Sequence, residues 1–224
     1  MLQAAFHGKL NRGKRCEDTL TSSVFGLMRY LPDDIFWSIL SNSAKNVNFI
    51  NNESIIGIKF WPRWDTENSD NRNYVEPDVF IRGERFDVII EAKRWDDKGQ
   101  KKSQLESERK AYENIYKEED KSVYIITVGG NKNLRLTKDG LINKHNVIQV
   151  YWRDILDSVI KIQNQNSDTK DNLLSLDNIL SDLIKSFEFH GFFVGVWLES
   201  LSVKRYRLKN YTDDIRSIDK IFTL

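Results

Sequence analysis

The chain reads as an α/β protein, a mixed β-sheet flanked by helices, followed by a small C-terminal appendage. Three observations lead to that reading. Periodic segments follow one another in the order helix, three strands, helix, strand, strand, helix. Two of the strands frame Arg82-Gly83-Glu84-Arg85, a hairpin signal. A later run, Ser122 to Val128, is apolar with β-branched residues and is closed by Gly129-Gly130, as suits a strand covered on both faces.

The elements follow in order. From Glu17 to Tyr30, Leu20, Val24, Leu27 and Met28 recur at helical spacing, and Pro32 stands just beyond. Ile55 to Trp61 predicts a strand, and the polar stretch Asp65 to Asn73 a loop. Val75 to Ile81 and Phe86 to Lys93 predict the two arms of an antiparallel hairpin. Ser103 with Glu106 three positions later forms a capping-box pattern, opening a helix whose inner face would carry Leu105, Tyr112, Ile115 and Tyr116. Val147 to Tyr151 predicts a short strand and Trp152 to about Ile162 a helix. Gln163 to Lys170 reads as a linker, so a domain is expected over 1–162 and an accessory segment over 171–224. In that segment Leu173, Leu176, Leu180, Ile184 and Phe187 predict a helix, and Phe189 to Leu198 a strand or hairpin arm.

Composition narrows the class. A chain of 224 residues with 40% hydrophobic and 30% charged residues is long enough to bury a core and is expected to be ordered. A single cysteine, Cys16, permits no internal disulfide, and no apolar leader follows a basic start, so a reducing cytoplasm is the expected compartment. Phe187 to Leu201, the longest apolar region, is broken by Glu188, His190 and Glu199 and is too short and too charged to span a bilayer. His7, His145 and His190 lie far apart without partners at ligand spacing, which argues against zinc. No phosphate-binding Gly-Lys loop of the P-loop kind is present. The net charge of +1 does not mark a nucleic-acid binder. Basic residues gather locally at Lys9, Arg12, Lys14 and Arg15, at Lys93, Arg94, Lys98, Lys101 and Lys102, and at Lys204, Arg205, Arg207 and Lys209, where a solvated surface is the ordinary explanation. Phe60, Trp61 and Trp64, with Arg63, are ordinarily core and rim at a strand end; stacking on bases is the alternative.

The hairpin holds the chemically suggestive residues. With Gly83 first in a type II′ turn, Arg82 pairs with Arg85 and Asp78 falls opposite Ile89. Strand alternation then places Asp87, Ile89, Glu91 and Lys93 on the face of Asp78, with Asp78 and Glu91 as diagonal neighbours roughly 7–8 Å apart. Two carboxylates so placed suit a hard cation such as Mg²⁺. The opposite face, Phe86, Val88, Ile90 and Ala92, is wholly apolar and should pack on a helix. An isolated Glu-x-Lys is usually a solvated ion pair; here it lies on a strand that otherwise reads as core.

Pro77-Asp78 on one strand, Glu91-Ala92-Lys93 on the next, then a helix and a hydrophobic strand make the chain resemble the PD-(D/E)xK superfamily of restriction-endonuclease-like nucleases. The resemblance covers roughly residues 10 to 160 and rests on short motifs in their expected order. It implies Asp78, Glu91 and the Ala92 carbonyl as ligands for Mg²⁺, with Mn²⁺ as a substitute, and Lys93 as the group that orients or helps deprotonate the attacking water. Glu17, on the core-facing side of the first helix, matches the acidic residue that relatives add to the metal site; interaction with the helix dipole is the competing explanation. Gln104 matches a polar residue on the helix after the lysine strand, but Glu108 stands where one branch of relatives has tyrosine. The implied activity is phosphodiester cleavage in DNA, favoured over RNA, in defence or repair, with a homodimer or partner protein supplying specificity. A non-catalytic nucleic-acid-binding or assembly module on the same fold is the alternative.

Overall fold

The computed structural model describes residues 2–9, 15–45, 53–65, 74–94, 99–134, 147–167 and 174–193. Three helices come first, α1 (Leu2–Phe6), α2 (Glu17–Met28) and α3 (Asp33–Ser43). Then follow β1 (Ile55–Phe60), β2 (Trp64–Asp65), β3 (Tyr74–Val75), β4 (Val79–Gly83), β5 (Phe86–Ala92), α4 (Lys102–Ile115), β6 (Ser122–Val128) and β7 (Val147–Val150). Two long helices complete the set, α5 (Trp152–Ser167) and α6 (Leu174–Phe189).

The main sheet has the order β1-β4-β5-β6-β7, antiparallel across β1, β4 and β5 and parallel across β5, β6 and β7. Helix α4 makes the crossover that the parallel β5–β6 pair requires. This is the expected mixed α/β sheet flanked by helices. One face carries the larger core: Val79, Ile81, Val88, Ile90 and Ala92 meet Leu20, Val24 and Phe25 of α2, Phe36 and Trp37 of α3, Leu156 of α5 and Leu180 of α6. The apolar face predicted for β5 packs here. Each large side chain buried in this way contributes about 1.5–3 kcal/mol. The opposite face is smaller, with Phe80, Ile89 and Ile125 beneath Leu105, Ala111 and Tyr112 of α4 and Trp64 of β2.

Several expectations are corrected. The hairpin arm expected from Val75 to Ile81 is two strands: β3 pairs with β2, and Glu76-Pro77-Asp78 interrupts the chain before β4. Pro77 has no N–H to give a ladder. The hairpin register pairs Arg82 with Asp87 and Phe80 with Ile89, two residues away from the expected pairing, so the turn is Glu84-Arg85. Gly83 has no positive φ and is not the first residue of a type II′ turn. Its lack of a side chain serves close approach, because a Cβ there would lie 2.8 Å from the Glu53 carboxylate. Glu53 is buried and accepts hydrogen bonds from the Arg85 backbone N–H and, at 2.7 Å, from Arg85 Nε, closing the turn from outside the hairpin.

Helix α4 starts at Lys102 without a side-chain cap, so the expected capping box at Ser103 does not form. Glu106 instead lies 3.7 Å from Lys102. Its buried face is Leu105, Glu108, Ala111 and Tyr112, while Ile115 is exposed. The expected linker is partly helix, since α5 runs through Ser167. Gln163 Nε2 donates to Ser181 Oγ at 2.7 Å, tying α5 to α6. The first compact unit extends to Phe192, and α6, expected in the accessory segment, belongs to it, with Leu176, Leu180, Leu183 and Phe187 buried. Phe189 ends α6 rather than opening a strand. Residues 194–198, His145 and the basic residues Lys204, Arg205, Arg207 and Lys209 lie outside the described residues. Among the described residues no helix is long and apolar enough to cross a membrane.

Candidate active site

The parallel strands β5 and β6 end side by side at Ala92 and Val128, and the chain beyond them is held tightly. Lys93 N donates to the Val128 carbonyl at 2.7 Å, and the Lys93 carbonyl accepts from Trp152 Nε1 at 2.9 Å. Gln100 Nε2 bridges the carbonyls of Glu91 and Gly129, each at 3.1 Å. Gly129, at φ +70°, has the Lys93 carbonyl so close that a Cβ would collide with it. The Gly-Gly pair read as a strand end is thus also a packing requirement.

The corrected register places Asp78 across from Glu91, closer than the diagonal arrangement expected from sequence. Asp78 is buried; its Oδ1 accepts from Trp61 Nε1 at 3.0 Å and its Oδ2 from Ala92 N at 2.8 Å. Lys93 Nζ reaches Glu91 Oε1 at 2.5 Å, the Ala92 carbonyl at 2.9 Å and Glu17 Oε1 at 3.4 Å. Glu17, in the first turn of α2, also accepts from Arg94 N at 3.0 Å through Oε2. Glu91, Glu17 and the Ala92 carbonyl therefore gather on the Lys93 ammonium, and Asp78 is held beside them through the Ala92 backbone N–H. Gln104 does not join them directly, and its Nε2 donates to Glu108 Oε1 at 3.0 Å.

Glu108, which in sequence is only a departure from a motif, is fully buried and faces this group. Its place one turn beyond Leu105 and one before Tyr112 on the inner face of α4 was the available signal. Beyond Gln104, the polar neighbour of the Glu108 carboxyl is the Glu91 carboxyl. Burial, together with the charge of Glu108, pushes Glu91 up to about 8 against the pull of Lys93. Burial and the Asp78 charge push Glu108 up to about 7 against its hydrogen bonds. The two face each other and titrate as a pair. Burial, then the Glu91 charge, holds Asp78 well above the usual carboxylate range. Burial alone would lower Lys93, but Glu91, Glu17 and Asp78 outweigh it and raise its pKa. Lys93 is firmly an ammonium at neutral pH.

A second buried carboxylate on the same strand face gives the comparison. Asp87 is fully buried but has Tyr112 Oη at 3.0 Å, Gly83 N at 3.2 Å, Arg82 Nε at 3.4 Å and Lys121 Nζ at 4.0 Å. It is compensated at both ends. At the other end of β5, Lys93 is shared among Glu91, Glu17 and Asp78, and Glu108 adds a further acid. The acids outnumber the cation.

Among the described residues, no three Asp, Glu, His or Cys side chains converge on a common point as they stand. The oxygens of Glu17, Glu91 and Ala92 converge instead on the Lys93 ammonium, which stands where a cation is wanted. An all-oxygen donor set with further buried acids beside it is the kind of lining a hard divalent cation takes. The aromatic residues Phe60, Trp61 and Trp64 are buried and so belong to the core, while Arg63 is exposed and pairs with Glu76 at 3.3 Å.

No family model matches the chain, and no solved structure matches it. It is similar to an uncharacterised protein, PM0110, of Pasteurella multocida (strain Pm70), with 31% identity over 126 residues covering 50% of this chain and 47% of that protein. The chain thus spans about half the length of the curated relative it matches.

Proposed function

We propose that the chain is a metal-dependent nuclease of the PD-(D/E)xK type, with a restriction-endonuclease-like fold, that hydrolyses phosphodiester bonds in DNA. The observation that carries the reading is the imbalance of charge at the end of β5, where Asp78, Glu91, Glu108 and Glu17 surround the single ammonium of Lys93. Burying uncompensated carboxylates is costly, and strongly perturbed acids cluster at functional sites. Bound there by Asp78, Glu91 and the Ala92 carbonyl, with Glu17 at the rim, Mg²⁺ or Mn²⁺ would neutralise the phosphate and acidify the attacking water.

The remaining chemistry belongs to the chain. Asp78 is held in one orientation by two N–H donors, so it presents its remaining lone pairs without rearrangement. Lys93, kept protonated by its neighbours, acts as a hydrogen-bond donor and positive charge rather than as a base. Its part is to orient the attacking water and stabilise the charge that develops on phosphate oxygens. Gln104 and Glu108 support Glu91 from α4.

The test is incubation of the purified chain with linear, circular and single-stranded DNA and with RNA, each in Mg²⁺, Mn²⁺, Ca²⁺ or EDTA. DNA cleavage in Mg²⁺ and Mn²⁺, little turnover in Ca²⁺ and none in EDTA is expected. Cleavage that persists in EDTA removes the reading. Cleavage of RNA alone reassigns the substrate.

A further inference from the structure

Trp61 follows β1 directly and has φ +46°, the one positive φ at a non-glycine position among the described residues. Bulky side chains rarely adopt that conformation, and such residues persist where their surroundings fix them. Here the surroundings are Asp78. Trp61 grips it twice: the backbone N–H donates to the Asp78 carbonyl at 3.1 Å, and the indole Nε1–H donates to Asp78 Oδ1 at 3.0 Å. With this left-handed turn both donors of Trp61 meet two of the three acceptor oxygens of Asp78, and the third takes the Ala92 N–H. Beyond the indole, His7 packs edge-on at 5.5 Å and Lys9 Nζ lies 5.0 Å over the ring, itself fixed by Glu76 at 2.6 Å. The ring is buried and has little freedom to turn.

We propose that Trp61 is the positioning residue of the site, its strained backbone and indole N–H together fixing the Asp78 carboxylate in the orientation that cation binding needs. The inference rests on the nuclease reading of Asp78, and it assigns the conformational cost at Trp61 to function rather than to packing. Packing alone asks only for the ring. The N–H is needed by Asp78.

Two replacements separate ring from donor. Trp61→Phe keeps an aromatic side chain, and site-specific 3-benzothienylalanine at position 61 keeps the shape of tryptophan with sulfur in place of N–H, so folding is preserved even if the phenylalanine variant fails to fold. Cleavage of duplex DNA would be followed against Mg²⁺ concentration, with melting temperature recorded in parallel. Loss of an outer hydrogen bond to a ligand should lower kcat or Mg²⁺ affinity about 10- to 100-fold. The KM for DNA should be nearly unchanged, and the melting temperature should fall only modestly, as expected for one buried donor lost to Asp78 Oδ1. If wild type cleaves and the benzothienyl protein cleaves with the same kcat and Mg²⁺ dependence, the inference is wrong and the nuclease reading survives. If wild type shows no Mg²⁺-dependent cleavage, both fall.

Discussion

Glu91 and Asp87 are two acids on one strand, both buried, and they are compensated differently. Asp87 is compensated by Arg82, Lys121 and Tyr112 and ties the hairpin to α4 and β6. Glu91 shares Lys93 with other acids and is left raised. Sequence alternation places both on the same face but does not tell them apart, because two of the three compensating residues, Tyr112 and Lys121, lie 25 and 34 positions away from Asp87. At the same scale stands Gly129. Its left-handed φ and the adjacent Lys93 carbonyl leave no room for a Cβ. Gly129→Ala should therefore cost about 1–3 kcal/mol from backbone strain alone. A thermal melt should show a fall of roughly 2–4 °C per kcal/mol for a chain of this size. An unchanged melting temperature would mean that the β5 and β6 ends are looser than described.

Among the elements, α4 decides how the site is wired. Its capping-box pattern pointed to the right place for a helix but to a cap that does not form, and its inner face includes Glu108 rather than Ile115. Helical periodicity favours apolar positions, so a buried acid registers as a break in the pattern instead of as a member of it. Helix α3, absent from the expected order, carries its own start signals, with Pro32 at its N-cap and Asp33 and Asp34 in its first turn. The α4 acid has a consequence for stability. Asp78, Glu91 and Glu108 all have raised folded-state values, so they bind protons more tightly folded than unfolded. The contribution of Glu91 and Glu108 is complete below their unfolded value of 4.5 and is lost as pH rises through about 7 to 8, and Asp78 acts in the same direction. Metal-free protein should melt at progressively lower temperature from mildly acidic pH to pH about 8. Glu108→Gln should flatten that slope, as one titrating acid is removed. A melting temperature that rises over the same range would contradict the charge imbalance.

For the whole molecule, the order of the five strands of the main sheet and of α2, α4 and α5 around them is legible from periodicity and turn residues, while α1, α3 and the short β2–β3 pair are not. What was not legible is pairing and extent. Register depends on which residues make the turn, and the deciding contact is Glu53, more than thirty positions upstream of Arg85. The polar residues 163–167 read as linker because their neighbours in space, including Ser181, are invisible in sequence. Protons and a divalent cation should compete for the same acids. Mg²⁺ or Ca²⁺ is therefore expected to raise the melting temperature more at pH about 8 than at about 5.5, by the linkage that any native-state ligand obeys. Equal shifts at both pH values, or none, would place cation binding elsewhere.

The central claim, that Asp78, Glu91 and Lys93 form a nuclease centre, is tested most directly by comparing wild type with Lys93→Ala in single-turnover DNA cleavage at saturating Mg²⁺. Lys93→Ala removes an ammonium from among carboxylates and leaves the oxygen ligands in place, so DNA and Mg²⁺ should still bind while the chemical step slows. The account predicts a loss of about a hundredfold or more, corresponding to about 2.7 kcal/mol of transition-state stabilisation. Asp78→Asn and Glu91→Gln should abolish Mg²⁺-dependent cleavage. Cleavage by all three variants at the wild-type rate would contradict the account and move the active site away from the end of β5.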